Sequence, residues 1–219
     1  QCWKNLMLAH GLAFRAIRST APDAQIGIAS TGKLCYPHAP ADEEAARNET
    51  FRLSDADWMF THPITLDAAC FGRVEPEPGA LSALMRKISP EDWDIMHAIP
   101  DFIGVNSYNG SEIAADADEW PVYLPRPRGF PCTALKWPVT PEIMEYGYAF
   151  LYERYQLPLY VTECGLSCND RIYLDGQVHD ADRIDFLHRY LLALRKGSER
   201  ADIRGFFHWS LTDNFEWHS

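Results

Sequence analysis

The chain contains no apolar run of about 18 residues, which excludes a membrane-spanning helix. It has neither a Gly-x-Gly-x-x-Gly nor a Walker-type sequence, so nothing marks a dinucleotide or nucleoside triphosphate site. Basic residues are scarce: 20 Lys and Arg stand against 31 Asp and Glu, a net charge of −11. Nucleic acid is therefore not an expected partner, because phosphate binding needs a basic surface. An acidic surface suits a neutral substrate, although it also serves solubility. The six cysteines are scattered and include no Cys-x-x-Cys pair, which argues against a zinc site. They read as reduced thiols in a cytoplasmic enzyme. Residues 1–219 show no internal repeat or low-complexity segment and are expected to form one domain.

The carboxyl-terminal stretch is the most informative part of what is present. Gly205-Phe206-Phe207-His208-Trp209-Ser210-Leu211-Thr212-Asp213-Asn214-Phe215-Glu216-Trp217 begins as an apolar run and ends in tryptophans, an Asp-Asn pair and a carboxylate. This reads as a buried strand that delivers a polar, aromatic mouth at its carboxyl end. Sugars need such a mouth, since their C–H faces stack on rings and their hydroxyls seek acceptors. Leu157-Pro158-Leu159-Tyr160-Val161-Thr162-Glu163-Cys164-Gly165 repeats the plan. A glutamate at the carboxyl end of a barrel strand is a candidate catalytic residue. In Asp101-Phe102-Ile103-Gly104-Val105-Asn106-Ser107-Tyr108 the strand ends on Asn and Tyr.

Between these segments the apolar spacing predicts helices over residues 4–18, 42–47, 53–60, 79–88, 140–155 and 180–194. Strands are predicted over 24–29, 101–108, 157–163 and 203–209. Pro63, Pro76 and Pro78 are expected to break up a loop. Residues 109–140, rich in proline, read as a long connection walling the site. Thr140 before Pro141 reads as a helix cap. Alternation of helix and strand argues a parallel sheet covered by helices. A doubly wound sheet is the rival, without the glycine-rich turn it should carry.

At its strand-end segments the chain resembles glycoside hydrolase family 1, the retaining β-glucosidases and their relatives. Thr162-Glu163-Cys164-Gly165 stands where the family has Thr-Glu-Asn-Gly. Trp209 to Trp217 matches its last-strand motif and Asp101 to Tyr108 its Asp-Phe-Ile-Gly-x-Asn-x-Tyr. Lys136-Trp137-Pro138-Val139-Thr140-Pro141 is similar to the segment before the nucleophile strand, and Asn5 to Gly11 to the helix after the fourth strand. The resemblance implies an α/β fold, the (β/α)₈ TIM barrel. A whole barrel takes about 250 residues. The chain opens at Gln1 within a helix and is expected to be the C-terminal half, about four βα units forming a partial catalytic domain over 1–219.

The same resemblance implies hydrolysis of unphosphorylated β-glucosides or short oligosaccharides without cofactor or metal. Glu163 would be the nucleophile and Tyr108 its hydrogen-bond donor. Asn106, Trp137, Trp209, Glu216 and Trp217 would bind substrate, Glu216 accepting from sugar hydroxyls and repelling a 6-phosphate. The family's acid/base glutamate belongs to an Asn-Glu-Pro motif, and this chain has none, so that residue is expected upstream. Cys164, Ser107 and His208 depart from the family pattern, Cys164 removing an amide beside the nucleophile. One alternative is a catalytically incomplete half-barrel, a scaffold whose open edges pair with the missing half or with another copy. Another is a different barrel hydrolase that inverts configuration.

Overall fold

A computed structural model of the chain describes residues 1–212, 214 and 215. Its centre is a parallel sheet of β1 (Gly27–Thr31), β3 (Phe102–Asn106), β6 (Leu159–Cys164) and β7 (Ile203–His208), in the order β1-β3-β6-β7. Helices fill the connections: α1 (Cys2–Thr20) leads into β1, α5 (Pro90–Met96) into β3, α6 (Ile143–Tyr155) into β6 and α7 (Ala181–Gly197) into β7. This is the parallel α/β architecture of a partial barrel, whose strand edges at β1 and β7 end the sheet.

The two faces of the sheet differ because successive side chains alternate. Ile103, Val105, Leu159 and Val161 are fully buried beneath Met144, Tyr148, Leu151, Phe186 and Tyr190 of α6 and α7. Phe186 and Tyr190 stack with ring centroids 3.9 Å apart. A second core under α1 joins Met7, Ile64, Leu81, Met85 and Met96. The other face carries Phe102 against Tyr160, 5.0 Å between centroids, with Tyr160 lying over Gly205 beside Phe207. That concave face is half-buried at best, and Phe207 is 58% exposed.

A second, three-stranded sheet joins β2 (Cys35–Pro37), β4 (Ser111–Ala115) and β5 (Pro121–Tyr123), and β4 and β5 lie within residues 109–140, the stretch expected to be a long connection. It packs on α2 (Glu43–Phe51) through Cys35, Ala45, Ala46 and Ile113. Residues 53–60, expected as a helix, are instead a loop. Asp55 is diverted to accept from the Ala80 and Leu81 N–H groups, capping α4 (Ala80–Met85). Pro63 starts a helix that the sequence reading missed, α3 (Pro63–Phe71). It occupies the first turn, where a missing N–H costs nothing, and Gly72 ends the helix at φ +64°. Thr140 does not cap α6, because its hydroxyl accepts from the Gly110 N–H at 2.9 Å.

Candidate active site

The strand ends converge on one cleft of 1110 Å³. Its floor runs along the sheet from Thr31 (β1) through Asn106 (β3) and Glu163 (β6) to Trp209 just past β7. Register shifts sit where they aim these groups: between Val105 and Asn106, and again between Val161 and Cys164. The first sets Asn106 opposite Glu163. Bulged strands at barrel rims re-aim side chains in this way.

The Tyr108 hydroxyl donates to Glu163 Oε2 at 2.5 Å. Tyr108 is itself held from two sides. The Tyr190 hydroxyl receives the Thr140 N–H at 3.0 Å and donates to the Tyr108 carbonyl at 2.8 Å. Trp137 packs edge-on against the Tyr108 ring, 5.4 Å between centroids. The Ser107 N–H donates to the Glu163 carbonyl at 2.9 Å, which ties β3 to β6 at the level of the carboxylate. Asn106 is oriented by Thr162, whose hydroxyl donates to Oδ1 at 2.7 Å.

Trp209 closes the β7 end of the cleft, 40% exposed, and its N–H donates to the Cys164 carbonyl at 2.9 Å. Gly165 permits this approach, since a Cβ there would stand 1.9 Å from the Trp209 carbonyl oxygen. The Cys164 side chain points away from the cleft into the main core, where burial pushes its thiol pKa up. Ser107, the second departure, pairs its hydroxyl with Tyr148 at 2.6 Å in the same core. Of the three departures from the family pattern, Cys164 and Ser107 therefore enter packing.

The structure thus gathers Asn106, Tyr108, Trp137, Glu163 and Trp209 around one opening. Glu216 and Trp217 lie outside the described residues. The long connection does wall the site, through Ala134, Leu135 and Trp137. Sequence reasoning missed the far wall, made by Lys33, Asp57 and Phe60. The Lys33 ammonium donates to Glu49 Oε1 at 2.6 Å and Asp57 Oδ2 at 2.7 Å, and Tyr123 donates to the same Glu49 oxygen at 2.5 Å. Lys33 is held in its charged form against burial by these carboxylates. No sequence signal links Lys33 to partners 16 and 24 residues away.

Among the described residues no three His, Cys, Asp or Glu side chains group as a metal site, and no helix is long and apolar enough to cross a membrane. The six cysteines are free thiols.

The chain is 31% identical to β-glucosidase A of Thermotoga maritima over 219 residues, covering 97% of this chain and 47% of that protein. It is 33% identical to β-glucosidase A of Acetivibrio thermocellus, with 97% and 48% covered. A solved structure of a Thermotoga maritima β-glucosidase in complex with castanospermine superposes with a TM-score of 0.76 at 29% identity, covering 98% of this chain and 48% of that one. The chain spans about half the length of the curated relatives it matches. The model of glycosyl hydrolase family 1 matches residues 1–219, and the chain belongs to that family.

Proposed function

We propose that residues 1–219 are the nucleophile-bearing part of a retaining β-glycosidase, a β-glucosidase, acting on unphosphorylated β-glucosides or short oligosaccharides. One observation carries this reading: the Tyr108 hydroxyl on Glu163 at the rim of a cleft lined by aromatic and amide side chains. Retention needs two carboxyl groups about 5 Å apart across the scissile bond. The Glu163 carboxylate attacks the anomeric carbon and the glycosidic C–O bond breaks. The second carboxyl, from outside residues 1–219, protonates the departing oxygen. It then takes a proton from water, whose oxygen displaces Glu163 from the sugar. Tyr108 fixes the direction of attack through its bond to one carboxylate oxygen. Asn106, Trp209, Glu216 and Trp217 hold the sugar, and Trp137 borders the entrance for the leaving group. Negative charge at Glu216 disfavours a 6-phosphosugar. Six thiols without a pairing pattern fit action in the cytoplasm.

In the polypeptide that carries these residues, Glu163→Gln abolishes turnover of an aryl β-glucoside while the fold survives, read by circular dichroism. Full activity in that variant ends the assignment. The anomeric configuration of the first-formed product, read by NMR, separates retention from inversion.

A second reading is favoured by the open edges at β1 and β7 and by the exposed Phe207. Residues 1–219 by themselves form a scaffold that pairs with a complementary half-barrel or with a second copy. Sedimentation decides this one, as a stable 25.0 kDa monomer argues against it.

A further inference from the structure

The cleft extends well beyond the Tyr108–Glu163 pair, and its far end has its own chemistry. β1 lies two strands from β6, about 10 Å along the sheet at ordinary strand spacing. With the reacting sugar between Glu163 and Trp209, the leaving group extends past Tyr108 toward β1. There the wall consists of Lys33, Asp57 and Phe60.

This wall is built as one piece. The Lys33 N–H donates to the Phe60 carbonyl at 2.8 Å, which ties the 53–60 loop to the tip of β1. Gly32 lets the next residues approach, since a Cβ there would stand 2.6 Å from the His62 backbone nitrogen. Lys33 is largely sequestered, its side chain 13% exposed, between Glu49 and Asp57. Asp57 keeps half its side chain open. Phe60 leaves 63% of its surface bare, although burying an aromatic ring is ordinarily favourable.

Charge decides what this wall accepts. Lys33 is matched by Glu49 and Asp57, and Arg52, 3.7 Å from Glu49, is matched by Glu77. Among the described residues of this wall no net positive charge remains to attract an anionic leaving group. An uncovered aromatic face beside a half-open carboxylate and an ammonium suits a neutral ring that has apolar faces and hydroxyl edges.

We propose that Phe60 and Asp57, with Lys33 setting the carboxylate's position, form a leaving-group subsite for a second, unphosphorylated sugar residue. The sugar stacks on Phe60, and its hydroxyls donate to Asp57. The proposal rests on the β-glycosidase reading and narrows it to sugar-linked over aryl substrates.

Phe60→Ala and Asp57→Ala test it, both at exposed side chains whose loss spares the core, with circular dichroism confirming the fold. In the polypeptide carrying these residues, each lowers kcat/KM for cellobiose about tenfold, the worth of one stacked ring or one hydrogen bond. Asp57→Ala changes turnover of p-nitrophenyl β-glucoside by less than about twofold, since that leaving group has no hydroxyls to donate, whereas Phe60→Ala lowers it too, because an aryl ring also stacks on Phe60. In Asp57→Ala an unchanged ratio between the two substrates overturns the subsite, as does unchanged cellobiose turnover in Phe60→Ala. If the parent hydrolyses neither compound, the β-glycosidase reading falls and cellobiose binding decides, followed by tryptophan fluorescence. Weaker binding in both variants then upholds the subsite, and binding equal to the parent's overturns it.

Discussion

The two faces of the four-stranded sheet divide stability from chemistry. On the helix-covered face Ile103, Val105, Leu159 and Val161 have no exposed surface. On the concave face their sequence neighbours Phe102, Asn106, Tyr160 and Thr162 are only half-buried, and the strands end on Glu163 and Trp209. Each strand therefore serves two purposes by alternation alone. Its outward residues bind the sheet to α6 and α7, while its inward and terminal residues are left to be aimed at a ligand. Functional groups can be tuned on the concave face at little cost to the fold, because few of them hold the core together.

The sharpest way to break that contrast is Tyr108→Phe. It removes a concave-face hydroxyl and should cost two to three orders of magnitude in kcat on an aryl β-glucoside, about the worth of one preorganised donor. The melting temperature should hardly move, and a large drop would mean that Tyr108 also carries stability. The mirror experiment is Leu159→Ala on the covered face, where a cavity among fully buried neighbours should cost about 3 kcal/mol in urea unfolding. Cleft geometry should survive it, so KM should stay within about twofold if the two faces act separately.

A third test uses pH. His62 is fully buried beneath β1, its Nδ1 2.9 Å from the Ser30 hydroxyl, and burial lowers its pKa to about 4. The unfolded chain, with an ordinary histidine pKa of about 6.5, binds the proton more readily. The stability from neutral His62 is therefore complete above about pH 6.5 and is lost as pH falls toward 4, by up to about 3 kcal/mol. Urea midpoints at pH 7 and pH 4.5 for parent and His62→Gln measure it, and equal pH dependence in both would refute it. The smallest effect belongs to Thr162→Val, which removes the donor to Asn106 at 2.7 Å. It should cost about 1 kcal/mol in stability and raise KM modestly, with kcat little changed.

Much of the fold was legible where one segment carried its own pattern. The helices α1, α6 and α7 show apolar residues at helical spacing, and the strands β3, β6 and β7 show apolar runs that end on polar tips. Misreadings arose where a residue's partner lay far along the chain. Asp55 looked helical but caps α4, 25 and 26 residues away. Pro63 looked like a breaker because its place in the first turn of α3 shows only once the helix is known. The β2-β4-β5 sheet was invisible because Cys35–Pro37 pairs with Ser111–Ile113 across more than 70 residues.

By itself the sequence determined the parallel α/β architecture, the family, and Glu163, Tyr108, Asn106, Trp137 and Trp209 as the residues to examine. Short-range periodicity and contiguous motifs encode these, so they survive without coordinates. Only the tertiary structure decided that these five share one cleft, that Cys164 and Ser107 belong to the core, and that Lys33, Asp57 and Phe60 form its far wall. The reason is physical. A side chain's direction at a strand end depends on register shifts and on contacts with other elements. Those contacts join residues that no local pattern connects.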